Sequence, residues 1–253
     1  MRPLAIALVL VSAAFAPAVA ATEDTAELAK KLSNPISDLV SLPVQFNWEF
    51  GEGPDEDTWE ITNIQPVVPF HLSQSTNMIA RLIMPTINRP GTTLDGDMTF
   101  SLFFSPARSS GVTWGAGPAM ILPRTGEKWG LGPTFVILKQ TGNLTYGALA
   151  NQIWSFAGDD QAPDVSQLFL QPFFAVQASK TVTFTIQSET QANWQASSGN
   201  EWTIPLNVLV SKLVKHGPVP ISYTGGAGVY LDSPDGGPEW KLRGAITMLF
   251  PVK

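Results

Sequence analysis

From Asp38 the chain settles into a repeat of two. Leu42, Val44, Phe46, Trp48 and Phe50 share one face, and Gln45, Asn47 and Glu49 share the other. Side chains alternate across a strand, so this segment must be a strand whose two faces meet different surroundings. The last segment repeats the pattern. Trp240, Leu242, Gly244, Ile246, Met248 and Phe250 alternate with Lys241, Arg243, Ala245 and Thr247. A broad apolar face backed by a cationic one suits a strand with lipid outside and water inside. A soluble β-sandwich would also alternate, but it needs polar outer faces. Beyond residue 20 no apolar run is long enough for a membrane helix. A chain of this kind in a membrane must therefore be a closed barrel, because lipid cannot satisfy an open sheet edge.

Turn signals divide the interior into about ten further strands: 58–72, 78–87, 97–105, 112–122, 128–139, 145–156, 165–177, 181–194, 201–214 and 219–231. With the two end segments this makes about twelve, an even number, as single-chain bacterial barrels have. The connectors alternate in length. Those at 51–57, 88–96, 123–127, 157–164, 195–200 and 232–239 are mostly long and several are acidic, whereas 73–77, 140–144 and 178–180 are short. Long loops outside the cell and short periplasmic turns are expected for this class. The fold expected is all-β: a transmembrane antiparallel up-and-down β-barrel of about 12 strands with a short N-terminal helix.

The N-terminus sets the compartment. Arg2 precedes an apolar run over residues 4–15, and Ala18-Val19-Ala20 is a small-x-small cleavage site. Residues 1–20 read as a signal peptide, so the mature chain is expected to be exported and, given its barrel pattern, to reside in the cell outer membrane. Residues 21–37 read as a short periplasmic helix or plug. Glu23, Asp24 and Glu27 lie in the first turn, Lys30 and Lys31 in the last, and Pro35 stops it. Leu28 and Leu32 form a thin apolar stripe, which fits a periplasmic arm somewhat better than a plug in the mouth. Residues 38–253 form the barrel.

Seven tryptophans (Trp48, Trp59, Trp129, Trp154, Trp194, Trp202 and Trp240) flank the long connectors, and Trp114 lies at the opposite end. An aromatic girdle at a membrane interface predicts this clustering. Trp59 has lumen parity unless its strand carries a bulge. Trp114-Gly115-Ala116-Gly117-Pro118 recurs as Trp129-Gly130-Leu131-Gly132-Pro133. The copies should start neighbouring strands, with glycines on the lumen face giving room or curvature. Pro66, Pro69, Pro85, Pro118, Pro133, Pro172, Pro205 and Pro220 each remove a ladder donor, so either bulges are frequent or some strand ends lie elsewhere than drawn.

Most chemistry fails on inspection. The chain has no cysteine, which excludes disulfides and thiol catalysis. A net charge of −6 without a basic stripe argues against nucleic acid. His71 sits at a strand end and His216 in the turn His216-Gly217-Pro218, nothing in the sequence puts a serine beside either, and Gly-x-Ser-x-Gly is absent, so no hydrolase site is expected. Acidic clusters at Asp55-Glu56-Asp57, at Asp159-Asp160 with Asp164, and at Asp232 with Asp235 match no Ca²⁺ loop and read as solvated turns. No metal site or cofactor is expected. What survives is the lumen. Gln45, Asn47, Glu49, Asn63, Gln65, Arg81, Asp97, Thr183, Gln187, Glu189, Lys241 and Arg243 have inward parity and would line a solute pathway.

The sequence also resembles a family. The residues that carry it are Leu32-Ser33-Asn34-Pro35, Asn63-Ile64-Gln65-Pro66-Val67-Val68-Pro69-Phe70, Glu127-Lys128-Trp129-Gly130-Leu131-Gly132-Pro133, the run from Tyr146 through Trp154 to Gly158, and Asp232-Ser233-Pro234-Asp235-Gly236-Gly237-Pro238-Glu239. In these the chain resembles the outer-membrane transporter family named for the MetA pathway of phenol degradation. The resemblance implies an outer-membrane barrel for uptake of small hydrophobic or aromatic compounds; the substrate class rests on the family's name. The chain ends Phe250-Pro251-Val252-Lys253 rather than on the usual terminal aromatic. The expected function is passive uptake of a small-molecule solute through a channel surrounded by outer-membrane lipids and inserted by the barrel-assembly machinery. The alternative is a non-transporting structural or adhesive surface barrel acting through its loops.

Overall fold

The computed structural model describes residues 25–108, 111–124, 128–217 and 219–251. The expected signal segment, 1–20, and the acids Glu23 and Asp24 lie outside them. One helix, α1 (Thr25–Leu32), precedes fifteen strand segments among the described residues: β1 (Leu39–Glu52), β2 (Asp57–Ile64), β3 (Val67–His71), β4 (Thr76–Arg89), β5 (Thr92–Asp95), β6 (Met98–Pro106), β7 (Val112–Leu122), β8 (Lys128–Thr141), β9 (Leu144–Gly158), β10 (Ser166–Gln177), β11 (Val182–Ser188), β12 (Thr190–Asn193), β13 (Trp202–His216), β14 (Val219–Asp232) and β15 (Trp240–Pro251).

These segments make a closed 12-strand antiparallel barrel. Three barrel strands are interrupted. β2 and β3 are one strand broken at Gln65-Pro66, β5 and β6 one broken at Gly96-Asp97, and β11 and β12 one broken at Glu189. Neighbours in sequence pair as hairpins, and β15 returns to β1 in continuous register from Leu39↔Pro251 to Phe50↔Trp240. No edge is left, which is the condition lipid imposes on a sheet.

The prolines explain most of the irregularity. The register between β13 and β14 shifts at Ile204/Pro205. Pro118 and Pro133 face each other across β7 and β8, and the ladders on the far side of each are interrupted there. Neither residue has an N–H to give, so the two sit where the ladder already fails. Both glycine repeats lie on the lumen face, as the sequence pattern predicts. A Cβ at Gly117 would fall 2.1 Å from the Leu102 carbonyl oxygen, and one at Gly132 would fall 1.7 Å from that of Gln152. Glycine is required there because neighbouring backbones approach closely.

The barrel is polar inside and apolar outside. Trp154, Phe184 and Val208 are 49%, 50% and 55% exposed on the outer face, whereas Asn47, Lys241 and Arg243 on the inner face are 3%, 3% and 5% exposed. So large an exposed apolar surface marks a face that meets something other than water. Trp48, Trp129, Trp154, Trp194 and Trp240 stand exposed towards one end. Phe50 stacks on Trp240 at 4.0 Å, and Trp194 meets Trp202 edge-on at 5.4 Å. Trp114, Tyr146 and Tyr223 stand exposed towards the other end. Trp59 does not join the girdle. Its register partner is Glu49, so it faces the lumen, where the Arg89 guanidinium lies 5.0 Å over its ring.

The interior is divided. On the β4–β9 side, Ile79, Phe103, Val136, Leu138 and Leu149 form a packed apolar cluster, which Ile36 enters from the segment after α1. Gly115 makes room for it: a Cβ there would lie 3.3 Å from Ile36 Cδ1. The helix α1 packs against the barrel wall rather than standing free of it. Leu28 and Ala29 are buried against Leu39, Leu213 and Leu249 in one barrel mouth. Gln177 Nε2 donates to the Ala26 carbonyl at 2.9 Å and Gln140 Nε2 to that of Lys30 at 3.0 Å. The stripe is thin because only one side of the helix touches the wall.

Candidate functional site

The inner face of β1 and β15 places Glu49 and Asn47 opposite Lys241 and Arg243. On the next strand, β14, the lumen positions paired with these two cations are Gly228 and Gly226. Without side chains there, Lys241 and Arg243 reach across β14 and β13 towards Glu189. Glu189 stands in the gap between β11 and β12, beside the buried Pro205, which has no N–H for the ladder.

These residues make a charged belt across the lumen. Arg243 Nη1 donates to Glu189 Oε1 at 2.8 Å and Nη2 to Glu189 Oε2, a two-pronged pair. Arg243 Nε donates to Asn47 Oδ1 at 2.7 Å, which also accepts from Gln45 Nε2 at 3.2 Å. Lys241 Nζ lies 3.7 Å from both Glu49 Oε1 and Glu189 Oε2, and 5.1 Å over the Tyr230 ring. Tyr230 donates to Glu49 Oε1 at 2.6 Å. Gln187 Nε2 reaches Glu189 Oε1 at 3.2 Å, and Gln171 Nε2 reaches Gln187 Oε1 at 3.3 Å. Charges this poorly exposed are tolerated only when paired and hydrogen-bonded, and these are.

Between the belt and α1 lies a cavity of about 290 Å³. Arg81 lines it and donates from Nη2 to Gln65 Oε1 at 3.0 Å. Thr183, Gln45 and Gln187 line it too.

Of the residues expected inside, Gln45, Asn47, Glu49, Gln187, Glu189, Lys241 and Arg243 come together in the belt. Gln65, Arg81 and Thr183 lie on the cavity wall. Asn63 pairs in register with Gln45 on the inner face but joins no described side-chain bond of the belt. Asp97 lies apart, at the break between β5 and β6, where it accepts from the Arg124 backbone N–H at 3.3 Å. Tyr230 and Asn207 are belt members that parity along β14 and β13 could have identified. Asn207 is fully buried, with Nδ2 3.4 Å from the Gln187 carbonyl and Oδ1 unpaired.

The histidines sit near the mouth that α1 occupies. His71 Nδ1 lies 2.9 Å from Asn77 Oδ1, and His216 Nε2 lies 3.1 Å from the Tyr223 hydroxyl. Among the described residues, no serine is hydrogen-bonded to either ring, and no group of three or more acidic or histidine side chains is placed to hold a metal ion.

No protein-family model and no curated protein matches the sequence. Solved structures do match the fold. The COG4313 outer membrane channel from Pseudomonas putida F1 superposes with a TM-score of 0.60 at 10% identity, over 84% of this chain and 96% of that one. The NanC porin superposes with a TM-score of 0.57 at 13% identity, over 83% of this chain and 100% of that one. At such identities the likeness is one of fold: the chain shares the closed β-barrel of these two proteins.

Proposed function

We propose that the chain is exported by its first 20 residues and resides in the outer membrane as a passive channel for small solutes, with α1 at the periplasmic mouth and the tryptophan-rich end outward. One observation carries the reading: a charged belt crosses a lumen whose outer wall is apolar and flanked by aromatic residues. A purely structural barrel has no use for Glu49, Glu189, Lys241 and Arg243 inside, where an apolar filling would stabilise it as well or better. The belt residues, with Arg81 and Gln65, form the solute path. The fold neighbours and the resemblance to the MetA-pathway transporters support a channel, and the latter supports small hydrophobic or aromatic cargo.

The second reading is a non-transporting surface barrel, and the seat of α1 in the mouth favours it. Single-channel recording in planar bilayers decides between them. Discrete conductance steps from the purified, folded barrel are expected; a folded barrel that neither conducts nor swells liposomes would sink the transport reading. Recovery in the soluble periplasmic fraction would overturn the membrane location.

A further inference from the structure

One cation on the cavity wall, Arg81, is not in contact with any of the belt carboxylates. Glu189 serves Arg243 and Lys241, and Glu49 serves Lys241. Arg81 has no carboxylate within ion-pair distance among the described residues; its one described side-chain hydrogen bond goes to the neutral amide of Gln65. A guanidinium has five N–H donors in a planar fork that matches a carboxylate. This one lies on the wall of a cavity of about 290 Å³. Glu189 on the same wall acts on Arg81 only from beyond contact and is already held by Arg243 and Lys241, so an anion seated on the guanidinium would lower the cost of keeping this charge inside.

The rest of the wall is mixed. Gln45, Gln171 and Gln187 line it with Arg81, and the register neighbours Val67 of Arg81 and Phe173 of Gln187, with Leu209, add apolar surface. We infer that the cavity is a binding site for a small monocarboxylate with a short apolar body, its carboxylate on Arg81 and its body against Phe173 and Val67. The inference rests on reading the lumen as a solute path only in calling this ligand cargo.

The test is calorimetric titration of the full-length barrel, folded in detergent, with butyrate, butyramide and acetate. Butyrate should bind at least about tenfold tighter than butyramide, the effect of losing a charge-assisted contact. It should also bind about tenfold tighter than acetate, the effect of two buried methylenes. R81Q should bring butyrate down to butyramide, and R81K should retain part of the preference. Equal binding of butyrate and butyramide overturns the role of Arg81. Equal binding of butyrate and acetate overturns the apolar half of the site. The wild-type comparison stands even if R81Q fails to fold. A barrel that conducts potassium chloride but ignores butyrate refutes this site alone, whereas one that binds butyrate without conducting refutes the channel alone.

Discussion

Replacing Glu189 by glutamine tests the belt most directly. The wild-type belt and cavity wall carry Arg81, Lys241 and Arg243 against Glu49 and Glu189, and Lys31 is offset by Asp38, leaving one positive charge. E189Q leaves two. A unit charge about 6 Å from a passing ion is worth about 1 kcal/mol at an effective dielectric between bulk water and a protein surface. Anions gain and cations lose, so the anion-to-cation permeability ratio should rise by at least about tenfold. Reversal potentials across a potassium chloride gradient read this out. The same substitution strips Arg243 of a two-pronged acceptor whose side chain is only 19% exposed. That should cost about 3 kcal/mol of stability, at the low end for breaking a buried pair. R243Q should cost a similar amount. The double variant restores the net charge and should recover about 2 kcal/mol relative to the sum of the singles. Denaturant titration followed by heat-modifiable gel migration measures the cycle. A folded E189Q barrel with wild-type selectivity would falsify the placement of Glu189 on the ion path, and additive stability losses would deny the Arg243–Glu189 pair.

Three further outcomes are expected. Charge reversal at Lys241 and Arg243 to glutamate should turn selectivity towards cations, and unchanged reversal potentials would show that neither lines the pore. Leu28→Ala, which removes a buried contact with Leu213 and Leu249, should weaken the seat of α1 by about 2–3 kcal/mol; a larger or more frequently open conductance is the readout, and identical records would place the helix off the path. At the tryptophan-rich end, the Lys128 ammonium donates to Asp164 at 2.7 Å and holds this exposed carboxyl below its ordinary value of 3.8, with the Ser155 hydroxyl assisting. A depressed carboxyl stabilises above its unfolded value and loses that contribution as pH falls through the lower folded one. The tether of the 159–165 loop should therefore hold at neutral pH and release only below pH 3.8; amide hydrogen exchange that loosens near pH 6 would contradict it.

The twelve barrel strands were legible because each faces two solvents. Leu42 to Phe50 and Trp240 to Phe250 could alternate in no other way, and the turn residues between the remaining strands marked their ends. Parity also placed the twelve inward residues on one face. It could not say which of them meet, because contact across a lumen depends on reach. Arg243 meets Glu189 over two intervening strands only because Gly226 and Gly228 are bare, and nothing in the spacing announces that chord. Asp97 has the same parity as the belt residues and lies at a strand break away from them. The helix was harder still. Leu28 and Leu32 carry too little apolar surface to distinguish a barrel wall from open periplasm, and Leu39, Leu213 and Leu249, which bury Leu28, come from distant parts of the chain.

The seat of α1 bears on how the ring closes. Once the interrupted strands are joined, every pairing around the barrel links sequence neighbours except the one between β1 and β15. That pairing alone gathers about two hundred residues into a loop, at an entropic cost of roughly 5 kcal/mol. The helix buries Leu28 and Ala29 against Leu39 of β1 and Leu249 of β15, the two strands that meet there. It is a clasp laid across the seam that closes the ring. Lateral parting of that seam must unseat the helix, and lifting the helix must loosen the seam, so exchange of the Val40–Phe250 ladder and occupancy of the mouth should rise and fall as one.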